Sequence, residues 1–203
     1  MDTFRVGILL FEGYEELDAI GPYEVFGAAA DHGADLSVDL LTVEPTDRVT
    51  AAHGLRVEPD GTLGAAGDLD LLVVPGGGWS DPETPGARVE AERGALPEAL
   101  AASHGAGTTV AGVCTGGMLL STAGLTDGRP AITHRSAIDD LRAAGAEVVE
   151  ARVVDDGDVV TAGGVTAGID LALHLVEREF GAALADEVAT YMEFERRTDR
   201  YSA

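Results

Sequence analysis

An α/β fold with one doubly wound, mostly parallel sheet flanked by helices is what this sequence predicts, and three observations predict it. Short apolar runs rich in Val, Ile and Leu, bounded by Gly, Pro or Asp, recur from end to end. Stretches of helical length lie between them. The only cysteine falls where one such run gives way to a helix. Runs of this kind suit strands buried on both faces, and helices alternating with them imply parallel βαβ units.

The first strand is expected over residues 5–11, with a helix over 15–30. Strands at 38–43 and 69–74 follow. From Gly76 to Gly94 the chain is rich in Gly and Pro and holds the only tryptophan, Trp79. That composition predicts an irregular loop over one edge of the sheet. A helix over 88–103 leads into a strand at 108–113, and helices are expected at 115–123 and 136–144. The last strand, 159–162, precedes helices at 167–180 and 182–194. No repeat, low-complexity segment or linker interrupts the series, so residues 1–203 are expected to form one domain.

Charge narrows the function. There are 36 acidic residues against 13 basic ones, a formal net charge of -23, and every basic residue other than histidine is Arg. Nucleic acid and anionic membrane are bound through positive patches, so neither is an expected partner. The acids are scattered along the chain, which suits a solvated coat on a folded surface. Molar salt would screen the self-repulsion of such a coat over about 3 Å, so an adaptation to a saline cytoplasm is the expectation. No run approaches the roughly 18 apolar residues of a membrane span. The N-terminus lacks the features of a signal peptide, and a cytoplasmic location is expected.

One cysteine allows no intramolecular disulfide and no Cys-based zinc site. The five histidines show neither H-x-x-x-H nor H-E-x-x-H spacing. No metal and no cofactor are expected.

The chemistry is expected at the carboxyl ends of the strands, where open α/β sheets bind ligands. Gly112-Val113-Cys114-Thr115-Gly116-Gly117 has the G-x-nucleophile-x-G form of a nucleophile elbow with Cys in place of Ser. Small neighbours permit the sharp turn, and unpaired N–H groups at a helix start favour an anion. A thiol there is expected to ionise near neutral pH. A lone cysteine is otherwise an ordinary packing residue. Val74-Pro75-Gly76-Gly77-Gly78 ends a second strand in exposed backbone N–H groups that could bind substrate or an oxyanion; an ordinary Gly-rich turn is the alternative.

Together these residues resemble the ThiJ/PfpI superfamily, whose fold is flavodoxin-like and class I glutamine amidotransferase-like. The resemblance runs from Phe11-Glu12-Gly13-Tyr14-Glu15-Glu16-Leu17-Asp18 through Gly21-Pro22-Tyr23-Glu24-Val25-Phe26, Pro75-Gly76-Gly77 and Val113-Cys114-Thr115-Gly116. It ends at Thr161-Ala162-Gly163-Gly164-Val165-Thr166-Ala167-Gly168-Ile169-Asp170. Protease-like members carry His directly after the nucleophile, where this chain has Thr115. The glyoxalase/deglycase branch carries Glu at the position of Asp18. Isocyanide hydratases carry Asp there, with Cys-Thr at the elbow, and the chain resembles that branch most.

The resemblance implies a small-molecule substrate, a Cys114 nucleophile and Asp18 as the proton shuttle, the alternative for Asp18 being a first-turn acid favoured by the helix dipole. It also implies a homodimer. Thr115 could donate its hydroxyl or N–H to the sulfur, or simply satisfy the helix terminus. His134 could tune the cysteine's charge or be a structural histidine, and Gly164 of the Gly163-Gly164 pair could line the pocket. The expected reaction is hydration of an isocyanide to an N-substituted formamide. The alternatives are a glyoxalase or deglycase acting on methylglyoxal-type carbonyls, and a cysteine redox-sensing stress protein. Regulators that share the elbow append a DNA-binding domain, and in a chain of 203 residues none is expected.

Overall fold

The computed structural model describes residues 3–203. The chain runs β1 (Phe4–Leu9), α1 (Glu16–Asp31), β2 (Leu36–Thr42), β3 (Val49–Thr50), β4 (Arg56–Val57), β5 (Gly61–Thr62), α2 (Leu63–Ala66) and β6 (Leu71–Val74). Then come α3 (Ala87–Arg93), α4 (Ala95–Gly105), β7 (Thr109–Val113), α5 (Gly116–Thr122), β8 (Pro130–Ala131), α6 (Ile138–Ala143) and β9 (Glu147–Val148). The last elements are β10 (Val153–Asp155), β11 (Val159–Ala162), α7 (Ala167–Phe180), α8 (Ala182–Tyr191) and β12 (Arg200–Ser202).

The apolar runs pair as the sequence suggests. The eight-stranded sheet has the order β12-β10-β11-β7-β6-β1-β2-β5 and is parallel except between β10 and β11. Its register sets Val6 beside both Val38 and Leu71, Val73 beside Ala111, and Val113 beside Ala162. All four residues of β6 are buried, as expected of a strand covered on both faces.

From β1 the chain crosses to β2 on one side, while from β6 it crosses to β7 on the other. Right-handed crossovers in opposite directions place their helices on opposite faces. Accordingly α1 packs with α7 and α8, whereas α3, α4 and α5 pack together. The direction reverses between β1 and β6, and the carboxyl ends of strands at such a point form the usual ligand crevice.

Several local expectations are corrected. The helix expected over 88–103 is two helices, because Gly94 takes a left-handed φ of 83° that ends α3 and starts α4. The segment from Gly76 to Gly94 is therefore irregular only up to Gly86. Trp79 within it is pinned, its indole N–H donating to Asp140 Oδ2 at 2.8 Å and the Arg88 guanidinium lying 5.2 Å from its ring. β1 ends at Leu9, two residues early. The two- and three-residue strands β3, β4, β5, β8, β9, β10 and β12 are too short to show a period in sequence. No helix among the described residues is long and apolar enough to cross a membrane.

Candidate active site

Cys114 sits between β7 and α5 with φ at 56°, a left-handed conformation that costs a non-glycine residue about 1 kcal/mol or more. The surroundings hold it there from both sides. Its N–H is shared between Gly163 O at 3.0 Å and Ala162 O at 3.2 Å. Its C=O accepts from the Thr133 hydroxyl at 2.8 Å. The thiol is thus fixed at the carboxyl end of the central sheet, nearly buried at 6% exposure.

Asp18, in the first turn of α1, is fully buried and faces the thiol. Its Oδ2 accepts the Gly76 N–H at 3.0 Å, and its Oδ1 has no hydrogen-bond partner. Burial, more than the nearby charge of Glu15, pushes Asp18 up to about 7. The same burial, with the negative charge of Asp18, pushes the Cys114 thiol up to about 12. Burial and the facing carboxylate therefore work against the ionisation expected of the elbow thiol. The N–H groups of Val165 and Thr115 do lower its pKa, but desolvation beside a carboxylate outweighs them. Cys114 and Asp18 behave as a coupled pair that holds a proton near neutral pH.

The glycine turn after β6 positions this pair. A Cβ on Gly76 would lie 2.5 Å from both the N and the Oγ1 of Thr115, so only glycine fits. With its N–H on Asp18, and the Gly77 N–H donating to Thr115 Oγ1 at 2.9 Å, this turn holds Asp18 and Thr115 instead of offering amides to a ligand. Thr115 is buried. Its N–H faces the sulfur while its hydroxyl oxygen accepts from Gly77.

His134 is half-buried. Its Nδ1 accepts from the Ser136 N–H at 3.2 Å and lies 2.8 Å from Ser136 Oγ. That leaves Nε2 to carry the proton. Burial and the neighbouring Arg135 hold its pKa below the usual value, so the ring is neutral at neutral pH. The ring packs on Gly164, where a Cβ would meet Cδ2 at 2.4 Å. His134 thus touches the segment that carries Val165 and has no hydrogen bond to Cys114.

Val165 is the member of this group that sequence reasoning missed. Its φ of 38° is exceptional for a β-branched residue, and its N–H faces the thiol sulfur. With the Thr115 N–H it forms a pair of donors aimed at charge on Sγ. The contribution is wholly main-chain, so the side chain gave no signal.

Among the described residues one group places metal-ligating atoms within 4.8 Å of one another, namely Glu15, Glu16 and His53. Glu16 already accepts the His53 N–H at 2.6 Å and meets its ring at 2.8 Å, tying the loop after β3 to α1.

The chain is 35% identical to an isonitrile hydratase of Pseudomonas putida over 95% of its length and 79% of that protein's. It is 29% identical to a deglycase of Thermococcus kodakarensis over 77% of its length and 88% of the relative. The structure superposes on a ThiJ/PfpI family protein from Pseudomonas syringae with a TM-score of 0.79 at 30% identity, covering 97% of this chain and 77% of the other. Residues 4–178 match the DJ-1/PfpI family, and the chain belongs to that family.

Proposed function

We propose that the protein is a cysteine-dependent isonitrile hydratase, converting R–N≡C and water to the formamide R–NH–CHO. The observation that carries this reading is the buried pair of Asp18, poised at about 7, and Cys114, with two N–H donors on the sulfur. The 35% match to an isonitrile hydratase supports it.

Ionised Asp18 takes the thiol proton as the sulfur adds to the terminal carbon of the isonitrile. It then delivers that proton to the carbon, leaving the thioimidate R–N=CH–S–Cys114. Again ionised, Asp18 draws a proton from a water that attacks this carbon and passes it to the nitrogen. The tetrahedral intermediate collapses to the formamide, and its hydroxyl proton returns through Asp18 to the departing sulfur. The N–H groups of Val165 and Thr115 stabilise negative charge on sulfur at both ends of the cycle. The steps consume one isonitrile and one water and return the enzyme unchanged. A carboxyl near 7 suits this role, because it must give and accept protons at the working pH.

The deglycase relative favours a second reading, in which the same thiol attacks a methylglyoxal-type carbonyl. Redox sensing has less support, since oxidation selects exposed thiolates and this thiol is buried and pushed up. The acidic coat supports action in a saline cytoplasm, and a homodimer rests on the family resemblance. The test is turnover of an aryl isonitrile against methylglyoxal in molar potassium chloride, with Cys114→Ala alongside. Formamide production lost in the variant supports the hydratase; turnover of methylglyoxal alone moves the assignment to the second reading.

A further inference from the structure

Beside the site lies a cleft of about 750 Å³ whose lining is richer in arginine than the molecule as a whole. Its 14 lining residues include four arginines and two acids, where the chain as a whole has 13 basic residues to 36 acidic ones. Arg152 is paired with the buried Asp170, and Arg196 with Glu177 and Asp186. Arg135 and Arg197 are exposed and have no ion pair among the described residues, and the same holds of the two lining acids, Glu150 and Asp199. Most other arginines of this chain are paired with acids, so two unpartnered guanidiniums on one cleft stand apart.

The two arginines reach the cleft on positioned backbone. Arg135 directly follows His134 in a short helical turn. The Arg197 N–H donates to Asp170 Oδ1 at 2.9 Å, which anchors the C-terminal segment against α7. The same cleft is walled by Thr133 and Gly163, both hydrogen-bonded to the Cys114 backbone, and by Gly164, next to the Val165 N–H donor. A guanidinium presents a planar fork of donors that matches a carboxylate.

We propose that this cleft is the subsite for a carboxylate on the substrate, held by Arg135 and Arg197 while the reacting carbon sits at Cys114. It rests on Cys114 as the reacting group and assigns the substrate class, a carboxylate-bearing isonitrile under the hydratase reading. The surrounding -23 charge would repel such an anion elsewhere, so the cleft also selects where it docks.

The test reads iodoacetamide alkylation of Cys114 by intact mass, at fixed ionic strength, with benzoate or inorganic phosphate as competitor. Saturating benzoate is expected to slow alkylation of the wild type about ten-fold and more than phosphate does. In Arg135→Gln/Arg197→Gln the protection should disappear; both side chains are exposed, and a thermal melt checks that the variant folds. Absent protection, protection that survives the double substitution, or stronger protection by phosphate would each overturn the proposal. A second arm compares kcat/KM for isocyanoacetate and its methyl ester, whose ratio should fall about ten-fold in the variant. No turnover of either compound while an aryl isonitrile is hydrated would overturn the carboxylate assignment; no turnover of any isonitrile would sink the hydratase reading, while the alkylation result would still decide the subsite.

Discussion

Replacing Asp18 with asparagine separates what the acid costs the fold from what it does in the reaction. The carboxyl is fully buried, and folding raises it from 3.8 to about 7. The folded state therefore holds the proton more tightly than the unfolded chain. The stability that this proton confers is complete below pH 3.8 and is lost as pH rises through 7. At 1.36 kcal/mol per unit, the stability lost relative to the fully protonated state is about 4 kcal/mol at pH 8 and about 1.7 kcal/mol at pH 5, where the unfolded chain is ionised and the folded one is not. Asparagine pays neither amount, and its carbonyl can still accept the Gly76 N–H. Its amide would face the place where Asp18 Oδ1 has no partner, a constant penalty of about 1–3 kcal/mol. Subtracting wild type from variant at each pH removes that constant. Asp18→Asn should thus gain about 2.5 kcal/mol relative to wild type on going from pH 5 to pH 8. Urea melts at both pH values in molar salt measure the difference. A stability gap that does not change with pH would refute a buried acid poised at neutrality, and with it the proton shuttle.

Other consequences are open to measurement. If ionised Asp18 takes the thiol proton, kcat/KM for hydration should rise through about pH 7 and level off above it; a profile flat from pH 5 to pH 9 would remove Asp18 from the reaction. Gly76→Ala drives a methyl against the Thr115 backbone N at 2.5 Å; by overpacking it should cost about 1–3 kcal/mol or more, and by moving Asp18 and Thr115 it should cut turnover at least about 100-fold. A variant with normal activity would mean the turn does not position the pair. Asp170→Ala leaves the largely buried Arg152 guanidinium without its carboxylate and the Arg197 N–H without its acceptor. It should lose about 3 kcal/mol in a denaturant melt and become sensitive to trypsin after Arg196 and Arg197.

The sequence conveyed the parts of this molecule that repeat a simple pattern. Buried strands such as β6 announce themselves as unbroken apolar runs, and the elbow around Cys114 is marked by the small residues a tight turn needs. Asp18 was legible through its place in the family resemblance; its burial was not, because nothing local distinguishes it from the acids at Glu15 and Glu16. The break at Gly94 depends on a left-handed φ that a helical pattern does not display. β12 forms only because the C-terminal segment folds back to pair along β10, with Glu177 binding Arg196 and Arg200. What opposes ionisation of the thiol was hidden for a related reason. An elbow and a helix start are local features, whereas the desolvation and the facing carboxylate that raise Cys114 come from α1, nearly a hundred residues earlier in the chain.

The covalent step is the centre of the account. Rapid-quench intact-protein mass spectrometry during turnover of an aryl isonitrile would observe it directly. A transient species heavier by one whole isonitrile, mapped to Cys114 and decaying as formamide appears, is the predicted result. Formamide released while the protein mass never changes, or an adduct on another residue, would contradict it.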